Sequence, residues 1–210
     1  MLIWINGPFG GGKTQTAHHL VRRLPGAVVC DPEHLGFGLR RMLPPALRAD
    51  FQDLPAWRRG TVEILDLAVR EHPGPVIVPM TVTHSGHFAE TVGRLRELGH
   101  DVRHFTLLAE RATVLRRLAE RDPVHRLRHL AGLGGPPRRE SFAVARLDDC
   151  LTRLAAPAFA THLATDHLTV RQTADHLAAL AGLHLRPDTD TPLRASLRRA
   201  AVKIRHIRFD

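Results

Sequence analysis

Eight residues near the start of the chain restrict its fold more than any others. Gly7-Pro8-Phe9-Gly10-Gly11-Gly12-Lys13-Thr14 fits the pattern GxxxxGK[ST] in full. Residues 2–5 before it are apolar and are stopped by Asn6-Gly7-Pro8, which reads as a short buried strand. Residues 14–24 after it read as a helix. Strand, glycine loop and helix in that order gather backbone N–H groups around an anion, because glycines let the loop approach without Cβ clashes. The helix turns its positive end toward the same point. Lys13 adds a compact charge on a flexible stem, and Thr14 a hydroxyl suited to Mg²⁺. Gly7, Pro8, Phe9, Gly10, Gly11, Gly12, Lys13, Thr14 and Gln15 are therefore the candidate site for the phosphates of ATP, with Mg²⁺ on Thr14.

Composition sharpens the reading of Lys13. Of 30 basic residues only Lys13 and Lys203 are lysines. In a chain that otherwise relies on Arg, a Lys stands where a guanidinium fork would be too bulky.

Residues 27–30, 75–79, 102–108 and 167–170 read as further short strands. Helices are expected over 88–98, 112–120, 141–155 and 171–181, and in pieces over 34–72, broken at Pro44-Pro45 and Pro55. Residues 122–140 read as loop. Short strands alternating with helices imply an α/β fold, a five-stranded parallel sheet with helices on both faces. With the glycine loop this resembles the P-loop arrangement of nucleoside and shikimate kinases; in such sheets ligands lie at the carboxyl ends of the strands. The 210 residues suit one domain over 1–182, a linker over 183–192 and a terminal helix over 193–210.

The third strand runs on to Met80-Thr81 without an acid, and no NKxD-like guanine motif occurs. Both absences argue against a motor or a GTPase. A small kinase needs a phosphate loop, an acid near the acceptor hydroxyl and an Arg-rich lid. Asp31 follows the second strand directly and is expected next door to the first, where it would accept or orient an acceptor proton. Glu33 is the second candidate; a plain Asp-Pro turn that starts a helix is the alternative. Glu33, Phe37, Arg40, Phe51 and Trp57 would wall the acceptor pocket, Trp57 either stacking on a ring or lying in the core. The lid candidate is 110–140, with eight Arg against four acids. Arg117 and Arg121, four apart on one helical face, would clamp transferred phosphoryl oxygens. A solvated basic face partnered by Glu120 and Asp122 is the other reading.

The net charge of +9 is uneven. Outside the lid it sits on residues 192–210, six basic residues against Asp210. There Leu193, Leu197, Ala200, Ala201, Ile204 and Ile207 fall on one helical sector, with Arg194, Arg198, Arg199, Lys203, Arg205 and Arg208 around it. Such a helix could meet an anionic membrane, nucleic-acid phosphates or its own domain. The neutral body gives no reason to expect nucleic acid. No stretch reaches the ~18 apolar residues a membrane span needs. The N-terminus has no basic leader, and Cys30 and Cys150 form no disulfide framework or CxxC pair, which suits a reducing cytosol. The 15 His form no metal-ligand pattern. Oligomeric state is left open.

The residues also resemble a known family. Ile3 through Ala17 is similar to the start of tunicamycin resistance proteins of the TmrB family. So are Asp31-Pro32-Glu33, Gly36-Phe37, Asp50-Phe51-Gln52, Trp57-Arg58, Val78-Pro79-Met80-Thr81, Gly93-Arg94-Leu95-Arg96, His104-Phe105-Thr106-Leu107 and Ser196-Leu197-Arg198-Arg199. The resemblance implies a bacterial ATP-binding protein that protects against tunicamycin and meets the inner face of the cell membrane through its C-terminal helix. More distantly the layout resembles chloramphenicol phosphotransferase and shikimate kinase, whose Asp after the second strand serves the acceptor; only Asp31 matches that role. The lid departs from the shikimate kinase pattern, since Arg121 is followed by Asp122-Pro123. The expected activity is ATP- and Mg²⁺-dependent phosphotransfer to a hydroxyl of tunicamycin or a related nucleoside. An ATP-gated membrane binder that sequesters the drug is the alternative, and a polynucleotide 5′-hydroxyl kinase ranks last.

Overall fold

The computed structural model describes residues 1–121 and 144–188. Five strands, β1 (Leu2–Asn6), β2 (Val28–Val29), β3 (Val76–Pro79), β4 (Val102–Leu108) and β5 (His162–Ala164), form one sheet in the order β2-β3-β1-β4-β5. All pairings are parallel. The helices are α1 (Lys13–Arg23), α2 (Glu33–Met42), α3 (Pro55–Glu71), α4 (Ser85–Phe88, continued through a π-helical turn Ala89–Gly93 into Arg94–Glu97), α5 (Arg111–Arg121), α6 (Leu147–Leu154) and α7 (Val170–Leu180).

The two-residue period of the strands splits the core into two layers. Leu2 and Trp4 of β1, with Val76 and Val78 of β3, face a cluster completed by Trp57, Leu65, Phe88, Val92 and Leu154. Ile3, Ile5 and Ile77 face the other side, against Ala17, Leu20, Ala174 and Leu177 of α1 and α7. Every residue of β1 is buried, as a central parallel strand requires.

Two expectations are corrected. The fifth strand is His162–Ala164, not 167–170. Thr169 caps α7 instead: its side chain accepts from Gln172 N–H while the Gln172 side chain accepts from Thr169 N–H. That reciprocal capping box draws Val170 into the helix. The second correction is adjacency. β3 lies between β2 and β1, so the residue after β2 is two strands from β1, roughly 10 Å away.

Pro55 opens α3 rather than breaking a helix, since the first turn needs no donor from it. Residues 183–188 run along the end of α1. Arg186 N–H donates to Arg23 O (2.9 Å), Arg23 Nε to Arg186 O (2.7 Å) and Arg22 to Asp188 (2.8 Å). The rest of the expected linker, the terminal helix 193–210 and most of the lid fall outside the described residues.

Candidate active site

The loop leaves β1 through Asn6, which is fully buried. Its Oδ1 accepts from Gly7 N–H (2.9 Å) and Val82 N–H (3.0 Å), and its Nδ2 donates to Val82 O (2.9 Å). One carboxamide thus joins the start of the phosphate loop to the chain leaving β3. A Cβ on Gly7 would lie 2.8 Å from Leu107 O, and one on Gly10 2.9 Å from the Leu118 side chain. Both glycines also have positive φ. The loop is therefore seated directly on β4 and α5, which only glycine permits at these two places.

Gly12 at the N-cap brings no side chain to α1, and the first turn of the helix carries no acid. The positive helix end stays available to an anion. Lys13, 9% exposed, donates from Nζ to Gly7 O and Pro8 O, both at 3.0 Å. Its ammonium also lies 5.8 Å from the centroid of the half-open Phe9 ring. A triphosphate fits this cradle: the ammonium is already largely desolvated and donates to carbonyl oxygens, and phosphate oxygens could accept from the same donor with a full charge. Thr14 and Gln15, half-buried, sit in the same first turn.

On the acceptor side, the Thr81 hydroxyl donates to Gly7 O (2.8 Å), and Gln52 Nε2 donates to Thr81 O (3.1 Å). Both fall in stretches that carry the family resemblance, Asp50-Phe51-Gln52 and Val78-Pro79-Met80-Thr81, but the sequence assigned neither a role. Asp31 follows β2 and its Oδ1 accepts from Glu33 N–H (2.9 Å), which fixes the start of α2. Asp31 thus lies at the same carboxyl edge of the sheet as the phosphate loop but two strands from β1, and Thr81 follows β3, the strand between them.

Phe37 and Phe51 meet edge-on at 5.7 Å, and Phe51 meets Trp57 at 5.5 Å. Gly36 makes room, since a Cβ there would lie 2.5 Å from the Phe51 ring. Trp57 is a correction: it is fully buried, and its Nε1 donates to Pro32 O (2.9 Å). It supports the Asp31-Pro32 turn from within the core and offers no face to a ligand. Arg40 is exposed. Arg58, almost buried, donates to Glu90 (2.7 Å) and Gln52 O (2.6 Å), tying α3 to α4 and to the Gln52 turn. Beside it His84 and His87 stack at 4.5 Å. Burial, and then the Arg58 charge, lower the His87 pKa.

Arg117 does not stand free on a lid face. Its guanidinium donates to Thr165 Oγ1 (3.1 Å) and Thr165 O (2.5 Å), joining α5 to the end of β5. Burial lowers its pKa from the ordinary Arg value. Arg121 ends α5, and its side chain, with residues 122–143, lies outside the described residues. Among the described residues no group of three or more His, Cys, Asp or Glu could hold a metal ion, and no helix is long and apolar enough to cross a membrane.

A parallel sheet of this order with a glycine phosphate loop after β1 defines a P-loop nucleotide-binding protein of the small-molecule kinase-like class. Residues 2–131 match the AAA domain family, to which the chain belongs. It also belongs with the tunicamycin resistance proteins: it is 35% identical to the structure of the Deinococcus radiodurans tunicamycin resistance protein, with TM-score 0.71, covering 89% of this chain and 99% of that one. Shikimate kinase from Bacteroides thetaiotaomicron (16% identity, TM-score 0.56, 87% and 99% covered) and a sugar kinase from Janibacter sp. (19%, 0.52, 86% and 91%) share the fold. No curated protein matches the chain significantly.

Proposed function

We propose that the chain is an ATP- and Mg²⁺-dependent phosphotransferase acting on a hydroxyl of tunicamycin or a related nucleoside-like molecule. The observation that supports this reading is a phosphate loop after β1 and an acid, Asp31, after β2 at the same carboxyl edge of one parallel sheet, together with the tunicamycin resistance relative. Lys13 and the loop from Gly7 to Gln15 hold the triphosphate. Thr14 supplies the one protein oxygen that Mg²⁺ needs beside phosphate and water. The bound metal offsets charge on the phosphates. Asp31 faces the acceptor hydroxyl and takes or orients its proton. Phe37 and Phe51 line the acceptor side, with Glu33 at the start of α2. Lid arginines around Arg121 cover the transferred group.

Incubation with Mg-ATP and tunicamycin, followed by product mass, tests this. The expected result is a mass gain of one phosphoryl group with ADP release. Unchanged drug mass with reversible, stoichiometric, ATP-dependent drug binding favours the second reading, a binder that sequesters the drug. Asp31→Asn separates the two: it removes phosphotransfer and leaves sequestration intact. The basic amphipathic pattern of residues 193–210 supports a contact with the inner face of the cell membrane. Truncation after Pro192 is expected to lower flotation with anionic liposomes.

A further inference from the structure

We propose that the tip formed by residues 42–47 is a docking surface for an anionic lipid bilayer, independent of the terminal helix. The tip belongs to a finger whose base is fixed. Phe37 meets Phe51 there, Gly36 packs under the Phe51 ring, and Asp50 Oδ1 accepts from Gln52 N–H (3.0 Å). Between these points residues 40–49 are exposed, apart from the half-buried Leu43.

The end of that stretch is apolar and bare. Met42 is 82% exposed and Leu47 62%, the two highest values for large hydrophobic residues among the described positions. They bracket Leu43-Pro44-Pro45-Ala46, so the apolar run is continuous. Folding alone gives no reason to leave such a run in water. Arg40 and Arg41 precede it, Arg48 follows it, all are exposed, and no acid occurs over residues 38–49.

Backbone chemistry also suits an interface. Pro44 and Pro45 have no N–H. The N–H groups of Leu47, Arg48 and Ala49 donate to Pro44, Pro45 and Leu47 carbonyls, and Arg48 Nε donates to Leu43 O (3.0 Å). The tip therefore enters an apolar layer with few donors to desolvate. Its arginines have long stems that reach back to headgroups. Positive charge on both sides of an apolar wedge is complementary to anionic lipid in particular. The base of the finger carries Phe37 and Phe51, so docking would present the acceptor side of the site to the lipid surface.

A Leu47→Trp variant of the full chain reads this directly, because both native tryptophans, Trp4 and Trp57, are fully buried. With vesicles of mixed phosphatidylcholine and phosphatidylglycerol, its emission is expected to shift to the blue and to be quenched by lipids brominated on their acyl chains. With phosphatidylcholine alone the change is expected to be weak. Met42→Ser with Leu47→Ser should cut partitioning about tenfold, and Arg41→Gln or Arg48→Gln about fivefold each. ATP binding by the Met42/Leu47 variant should not change.

Vesicle binding with no spectral change at position 47 would place the membrane contact elsewhere on the chain and overturn the proposal. Absence of vesicle binding overturns it too. A blue shift that grows with protein concentration without lipid would assign the tip to a second copy of the chain and equally reject the lipid surface. None of these readings depends on phosphotransfer.

Discussion

The hydroxyl of Thr81 donates to the carbonyl oxygen of Gly7 at 2.8 Å, and the same oxygen accepts from Lys13 Nζ at 3.0 Å. The first carbonyl of the phosphate loop is thus held from the segment that follows β3 while it also accepts from the loop's only ammonium. Thr81→Val should lower ATP affinity about fivefold and stability by ~1 kcal/mol, and Thr81→Ser should restore both. Calorimetric titration and urea midpoints check this; a Ser variant no better than Val would remove the hydroxyl from the account.

Lys13→Ala should weaken ATP binding about 10- to 100-fold, the range for losing a charge-assisted contact. Lys13→Arg should not rescue it, because the cradle between Gly7 O and Pro8 O holds a compact ammonium and not a planar fork. Titration with an ATP analogue measures both variants.

His104 predicts an acid limit to stability. It is buried on β4, where neutral Nδ1–H donates to Ala160 O (3.0 Å), and burial pushes its pKa down to about 4. Above pH ~6.5 the ring is neutral in both states and its contribution is complete. Between that value and about 4 only the unfolded chain takes up the proton, so stability falls as pH falls, by ~3 kcal/mol in all. Urea unfolding across this range should show the decline, and His104→Asn should flatten it. An equally steep decline in the variant would shift the cause to other groups.

Thr169→Ala should cost ~1 kcal/mol by opening the capping box of α7. The loss should be local to α7 and visible as faster amide exchange in its first turn.

How much of this could be read in the sequence depends on distance along the chain. The phosphate loop was legible because its strand, glycines, Lys13 and Thr14 are consecutive, and the local geometry they impose needs no distant partner. Strand β4 was legible for the same reason, as a local stretch with Val102, Phe105, Leu107 and Leu108 and no Gly or Pro. The fifth strand was missed because His162–Ala164 is only three residues long, while His167 to Val170 has comparable apolar character. The S/T-x-x-E/Q signature at Thr169 and Gln172 was present and would have decided between them.

The order of the strands was not legible, because pairing of β3 between β2 and β1 is set by packing across the whole sheet. From that one fact follow the displaced position of Asp31 and the unforeseen part of Thr81. Trp57 illustrates a different limit. An aromatic residue near a cleft is equally compatible with wall and core until its N–H finds a partner, here Pro32 O.

An amide side chain has two unlike sides, and Asn6 uses both on Val82 and one also on Gly7. Its oxygen faces the N–H groups of both Gly7 and Val82, and its nitrogen faces Val82 O. The isosteric change to Asp would set a carboxylate oxygen against a carbonyl, so shape alone cannot keep this junction closed. Sliding of the segment after β3 past the start of the phosphate loop is thereby opposed at its root. Any large displacement of the Thr81-Val82 segment must break the two Asn6–Val82 bonds and the Thr81–Gly7 bond, or carry the first residue of the phosphate loop along with it.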